Sequence, residues 1–141
     1  GPMAGTMVMI PAAIECGFGE LGKHGSIISK EYGSSFRLSC VLTNAPLIPT
    51  PRQSYHVDDF CSRCRVCESA CPPGAIGPEK VTVRGNEKWY VDFDKCIPFF
   101  NENYGCSICI SSCPWSIPDR GPRIVEQLLR RKEKLSSLVD E

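Results

Sequence analysis

Eight of the ten cysteines in this chain of 141 residues lie between Cys61 and Cys113. Cys61, Cys64 and Cys67 are separated by two residues each, Cys71 follows after three, and Pro72 comes next. Cys106, Cys109 and Cys113-Pro114 repeat the ending of that run, and Cys96 stands ten positions before Cys106. Thiols spaced this closely along one loop converge on a common point, which suits coordination of a metal. Disulfides draw their partners from separate strands or loops and form in oxidising compartments. No secretory leader is read at the start of the sequence, so a disulfide framework is not expected.

Two metals remain. Zinc sites usually take two C-x2-C pairs set a dozen or more residues apart, and a zinc-binding structural or interaction module is the third-ranked reading. The run C-x2-C-x2-C-x3-C-P is instead the signature of a bacterial ferredoxin [4Fe–4S] site, in which the fourth cysteine ligates the other cluster. Its fixed-φ proline redirects the chain after that residue. The second set is the same motif with its opening spacer widened to the nine residues 97–105. Two [4Fe–4S] clusters are therefore expected. Crossed ligation assigns Cys61, Cys64, Cys67 and Cys113 to the first and Cys71, Cys96, Cys106 and Cys109 to the second. Cys96 lies across the widened spacer; were another group to take its place, a [3Fe–4S] centre would be expected.

The elements that must hold these loops are short. The fold class expected is α+β: a bacterial-type 2[4Fe–4S] ferredoxin-like domain with a β-hairpin insert, a Gly-rich N-terminal segment and a C-terminal helix. Gly1-Pro2 looks like a protease scar, and residues 1–9 are read as a lead-in. Residues 10–57 form the Gly-rich segment, 58–118 the dicluster domain and 119–141 the helix. Within the segment, Phe36, Leu38 and Cys40 alternate with Arg37 and Ser39, predicting a half-buried strand over 35–42. Residues 43–51, with three prolines, are read as an extended connector. Residues 80–84 and 87–93 flank Gly85-Asn86, predicting a hairpin with that pair as its turn. Pro122 suits the first turn of a helix running to Leu138, with Ile124, Leu128, Leu135 and Leu138 as a broken apolar stripe. Arg130, Arg131, Lys132 and Lys134 are read as its solvated face rather than as an anion site.

Nothing else carries chemistry of comparable specificity. His24 and His56, the only histidines, are expected in turn or surface roles. Asp58-Asp59 could be an acid pair but reads better as a helix start. Cys16 and Cys40 are expected as buried free thiols. Trp89, Trp115 and Phe99-Phe100 are expected to shield the clusters from water. Gly17-x-Gly19-x-x-Gly22 matches a dinucleotide fingerprint literally, but Glu31 is the only acid in the next 35 residues, so that site is rejected. Sixteen basic and sixteen acidic residues cancel, which argues against a general nucleic-acid binder. The balance turns negative once each oxidised cluster adds about two negative charges with its thiolates. No apolar run reaches the roughly 18 residues of a membrane span.

One further pattern is specific. Gly17-Phe-Gly-Glu-Leu-Gly-Lys-His-Gly25, then Tyr32-Gly33, Arg37-Leu38 and Val41-Leu-Thr-Asn-Ala-Pro-Leu47, all ahead of the cysteine motif, resemble the C-terminal part of the corrinoid-dependent reductive dehalogenases. Epoxyqueuosine reductase is similar, more distantly. The resemblance covers residues 10–118, and Asn44 departs from the usual aspartate. It implies that Gly17, Gly19, Gly22 and Gly25 belong to a corrinoid-facing segment. It also implies that the clusters deliver electrons to cobalt, the one held by Cys61, Cys64, Cys67 and Cys113 being nearer. The corrinoid and the catalytic tyrosine would belong to an upstream domain or a partner, so the chain is not expected to be catalytic alone. The expected function is electron delivery within a reductive dehalogenase-like oxidoreductase in the cytoplasm, with a redox partner protein or upstream catalytic domain. The alternative is a free-standing dicluster ferredoxin serving an unrelated enzyme. Residues 10–57, having little of their own to bury, are expected to be the least ordered.

Overall fold

The computed structural model describes residues 7–48 and 51–139. Residues 1–6 of the expected lead-in, positions 49 and 50 of the connector, residues 140–141 of the expected C-terminal helix and the side chains of Leu138 and Val139 lie outside them. In chain order the elements are α1 (Met9–Glu15), β1 (Glu20–Leu21), β2 (Ile27–Ile28), α2 (Val57–Cys61), α3 (Val66–Ala70), β3 (Val81–Val83), β4 (Asn86–Lys88), α4 (Phe93–Glu102), α5 (Ile108–Ser111), a 3-10 turn (Pro114–Ser116) and α6 (Arg120–Val139). Among the described residues, no helix is long and apolar enough to cross a membrane.

The Gly-rich segment is split in two by its packing. Glu20 pairs with Ile28 and Leu21 with Ile27, antiparallel, and Ser29 bridges to Gly33. Gly19 permits this close approach, since a Cβ there would lie 2.1 Å from the Ile28 carbonyl oxygen. Ile28 is fully buried and shares one core with Val57, Phe60, Cys61, Trp89, Cys113, Trp115 and Val125. The Glu20 carboxylate accepts the backbone N–H groups of Tyr55 (2.8 Å) and Val57 (3.2 Å), so it ties β1 to the unpaired N–H groups at the start of α2. Gly19, Gly22, Lys23, His24, Ile27, Ile28, Ser29, Gly33 and Ser34 are thus buried against the part of the fold that carries the cysteines. Beyond Gly33 the expected strand over 35–42 does not form. Phe36 and Leu38 are half-buried in alternation with exposed Arg37 and Ser39, but among the described residues no neighbouring strand accepts the ladder. Val41, Leu42, Leu47 and Ile48 are all largely exposed.

The hairpin is present, with its turn one residue earlier than expected. Val83 pairs with Asn86, which leaves Arg84 and Gly85 as the turn, at φ of 50° and 80°. Positive φ at both positions is the primed geometry that matches strand twist. Arg84 accepts the left-handed conformation because Asn86 is used for pairing. Beyond the hairpin, Ile76 bridges Val91, and Cys67, Ala75, Ile76 and Val91 form a second buried cluster. Asp92 caps α4 by accepting the Asp94 N–H at 3.1 Å.

Helix α6 begins at Arg120, two residues before the expected start at Pro122. Its apolar stripe is shorter than expected: Ile124, Val125, Leu128 and Leu129 pack on the core, whereas Leu135 is 64% exposed. Lys132 reaches back to Asp59 on α2 at 2.6 Å, and that ammonium together with His56 holds the Asp59 carboxyl below its ordinary pKa.

Candidate metal centre

The structure gathers the eight motif cysteines into two groups that cross the sequence order. Cys61 at the end of α2, Cys64 between α2 and α3, and Cys67 on α3 lie with Cys113, which follows α5. Burial pushes the Cys61 thiol up to about 11 and the Cys67 thiol up to about 12. The neighbouring thiols act in the same direction: Cys113 and Cys64 on Cys61, and Cys61, Cys64 and Cys113 on Cys67. The second group is Cys71, Cys96, Cys106 and Cys109. Burial and then Cys71 and Cys106 raise the thiols of both Cys96 and Cys109. These four line one cavity of about 130 Å³, walled by Ile76, Val91, Phe93 and Phe99.

The local reasons are short-range. Helices α3 and α5 are single turns that pack on each other; each carries one cysteine, Cys67 or Cys109, and is flanked by two more, Cys64 and Cys71 or Cys106 and Cys113. Pro72 and Pro114 follow Cys71 and Cys113, and the chain turns away at each. Gly74 donates its N–H to the Cys71 carbonyl at 3.1 Å, and the Ala75 N–H reaches Cys71 Sγ at 3.3 Å. The Cys113 thiol is raised by burial, while hydrogen bonds from the Trp115 and Ser116 backbone and the Ser34 hydroxyl pull it down.

This donor set fits iron–sulfur chemistry. A buried thiol with a raised pKa is a poor free thiolate, and binding of a cationic iron core displaces its proton. The Ala75 N–H already points at the Cys71 sulfur, the usual second layer around such a site. Among the described residues, no three His, Cys, Asp or Glu side chains converge tightly enough for a single metal ion. Two looser groups of four thiols are what a larger polynuclear cofactor spans, and the zinc tetrahedron is the poorer match.

Other expected residues fall differently. Trp89 and Trp115 are buried beside the first group, and Phe60 meets Trp115 edge-on at a centroid distance of 5.9 Å. Phe99 walls the second cavity, but Phe100 is 41% exposed. Cys16 and Cys40, expected to be buried, are both exposed. They flank an open apolar hollow of about 620 Å³ between α1 and residues 36–42, where the missing strand leaves them uncovered. Asp58 accepts the Trp89 indole N–H at 2.9 Å and pairs with Lys80 at 2.6 Å, so the two aspartates serve the start of α2 and its neighbours. Gly19 and Gly22 are packed against Ile28, Gly25 approaches Val91, and Gly17 has a φ of 79° at the end of α1.

Sequence reading overlooked Lys23 and gave His24 only a routine role. Lys23 is 1% exposed, its ammonium 3.2 Å from the Pro78 carbonyl, 4.0 Å from Glu68 and 4.5 Å from the Trp89 ring centroid. His24, expected in a turn or on the surface, is in a turn but 6% exposed, and burial lowers its pKa to about 4. A lysine and a histidine between two glycines were the available signal, but turns of that composition are usually solvated.

Residues 60–117 match the family model of the 4Fe-4S dicluster domain. The tetrachloroethene reductive dehalogenase of Sulfurospirillum multivorans is 34% identical over 113 residues, which is 74% of this chain and 23% of that protein. The trichloroethene reductive dehalogenase of Dehalococcoides mccartyi is 35% identical over 108 residues, 70% of this chain and 18% of that one. Epoxyqueuosine reductase of Escherichia coli is 32% identical over 123 residues, 75% of this chain and 29% of that one. Among solved structures, the catabolic reductive dehalogenase NpRdhA superposes with a TM-score of 0.69 at 26% identity, covering 83% of this chain and 18% of that one. The chain therefore spans less than a third of the length of each of these relatives. Residues 60–117 are therefore a 4Fe-4S dicluster domain, and the chain is homologous to the C-terminal region of the reductive dehalogenases and to epoxyqueuosine reductase.

Proposed function

We propose that the chain is an electron-transfer module holding two [4Fe–4S] clusters, one on Cys61, Cys64, Cys67 and Cys113 and the other on Cys71, Cys96, Cys106 and Cys109. The observation that carries this reading is the division of eight thiols into two groups, each completed by a cysteine from the other motif. When bound, a [4Fe–4S] cluster takes up and returns one electron at a potential set by charge, hydrogen bonds to sulfur and solvent exposure. The chain's own residues supply those settings. Trp89, Trp115 and Phe60 exclude water on one side, Ile76, Val91 and Phe99 on the other, and α3 packed on α5 keeps the two groups adjacent.

The proposed acceptor is a corrinoid-bearing catalytic domain, upstream in a longer chain or in a partner, making the whole a reductive dehalogenase-like oxidoreductase of the cytoplasm. Residues 58–118 would be the relay, 10–57 the segment that meets the catalytic domain through Gly17, Gly19, Gly22 and Gly25, and 119–141 a supporting helix. The relatives' own lengths, most of which lie outside the matched region, support this placement. Anaerobic titration of the dithionite-reduced, desalted protein with a cobalamin, alone and with a separately produced corrinoid domain, tests it. Reduction of cobalt is expected, fastest with the domain present. Failure to reduce cobalt in either case, with a simple dye still reduced, would leave the free-standing ferredoxin.

A further inference from the structure

The turn between β1 and β2 carries two buried polar side chains in succession, and they point at different cysteine groups. His24 Nδ1 accepts the Ser26 backbone N–H at 3.2 Å, so the neutral ring carries its proton on Nε2. That Nε2–H is buried and has no hydrogen-bond partner among the described residues. The ring lines the cavity formed by Cys71, Cys96, Cys106 and Cys109. A buried donor without an acceptor is costly and rare. A sulfur-rich group in that cavity supplies the acceptor. Gly22 makes the arrangement possible, because a Cβ there would lie 2.9 Å from the imidazole Cε1.

Lys23, one residue earlier, turns the other way. Its ammonium sits over Trp89, which packs with Cys61 and Cys113, and near Glu68, the residue after Cys67. Its backbone and its ammonium both work against the burial that raises the Cys61 thiol, and the ammonium does the same at Cys67. Glu68 is shared with Arg65, whose guanidinium binds it through two nitrogens, so Glu68 does not simply cancel Lys23.

We propose that Lys23 and His24 are positioning residues that set the potentials of the two clusters separately, Lys23 acting by charge on the Cys61/Cys64/Cys67/Cys113 cluster and His24 by an Nε2–H···S hydrogen bond on the Cys71/Cys96/Cys106/Cys109 cluster. This rests on the two-cluster reading. A positive charge and a donated hydrogen bond each favour the more negative, reduced state. Each residue therefore raises the potential of its own cluster and leaves its neighbour nearly unchanged.

The test is an EPR-monitored redox titration of the whole chain with its clusters, beside iron and sulfide analysis of each variant. Lys23→Met should lower one midpoint, by about tenfold in the reduction equilibrium constant or about 59 mV for one electron. His24→Leu should lower the other by a similar factor, while Lys23→Arg and His24→Gln, which keep the charge or the N–H, should restore most of each shift. Equal movement of both midpoints in either variant, or none, at full iron content would overturn the inference; loss of iron from the wild-type protein would instead overturn the two-cluster reading. A second measurement needs no core variant. With 15N-histidine incorporated, pulsed EPR of the reduced protein should show a weak 15N coupling that survives His56→Asn, since the chain has only two histidines. Absence of that coupling, or its loss in His56→Asn, would count against His24.

Discussion

Replacing Cys113 with serine is expected to remove the cluster of the first motif, not the cluster of the motif in which Cys113 sits. Iron should fall from about eight to about four atoms per chain, and the signal that remains should belong to the group formed by Cys71, Cys96, Cys106 and Cys109. Cys71→Ser should do the reverse and spare the first-motif group. The reason lies in the path of the chain. Pro114 and the 3-10 turn over Pro114–Ser116 carry Cys113 away from Cys109 and into the core with Cys61, Phe60 and Trp115. Cys113 is 6% exposed there, and Cys61 and Cys67 are 5% and 6% exposed. A cluster bound at such a site contributes directly to folding, so Cys113→Ser should also unfold at lower denaturant than Cys71→Ser, whose thiol is only half-buried. Loss of the second-motif cluster in Cys113→Ser, with the first retained, would show uncrossed ligation.

The second large effect is steric and concerns a residue with no chemistry of its own. Gly33→Ala should cost about 3–4 kcal/mol, adding the penalty of a left-handed backbone to that of an overpacked contact. Gly33 has φ +68°, and a Cβ there would lie 2.0 Å from the Trp115 carbonyl oxygen. The neighbour is backbone, so it cannot rotate away. The contact joins the Gly-rich segment to the turn that carries Cys113, beside the Ser34 hydroxyl 2.6 Å from Ser116 Oγ. Gly74→Ala is the matched control: its φ is +61°, but nothing lies within 4 Å of the added Cβ. It should cost only about 1–2 kcal/mol. Denaturant unfolding followed by cluster absorbance measures both, and equal losses would mean that residues 19–34 do not brace the cysteine sites.

How much of this was legible beforehand depends on the range over which each feature is determined. The cysteine motifs were legible because spacing along a loop is a local property, and the dicluster domain they spell is the one that residues 60–117 match. The hairpin was legible from its alternation, but its turn was displaced from Gly85-Asn86 to Arg84-Gly85 because register depends on which cross-strand pairs form. The strand expected over 35–42 failed for the same reason. Alternation records a preference for two faces and says nothing about whether a partner strand exists, and here none does among the described residues. Cys16 and Cys40 then stay exposed where an average cysteine would be buried. The role of the Gly-rich segment was the least legible. Gly19, Gly22 and Gly33 matter through atoms of Ile28, His24 and Trp115 that approach only once the chain has folded. Lys23 and His24 look like solvated turn residues until Trp89 and the second cysteine cavity are placed against them. Helix α6 was legible in period and not in extent, since its packed face ends at Leu129 with the core it covers.

Iron and acid-labile sulfide analysis of anaerobically purified protein, with EPR of the dithionite-reduced sample, tests the central claim most directly. The account predicts about eight iron and eight sulfide per chain and a spectrum broadened by coupling between two reduced clusters held close together. A colourless protein with stoichiometric zinc and no sulfide, or four irons with an uncoupled signal, would contradict it.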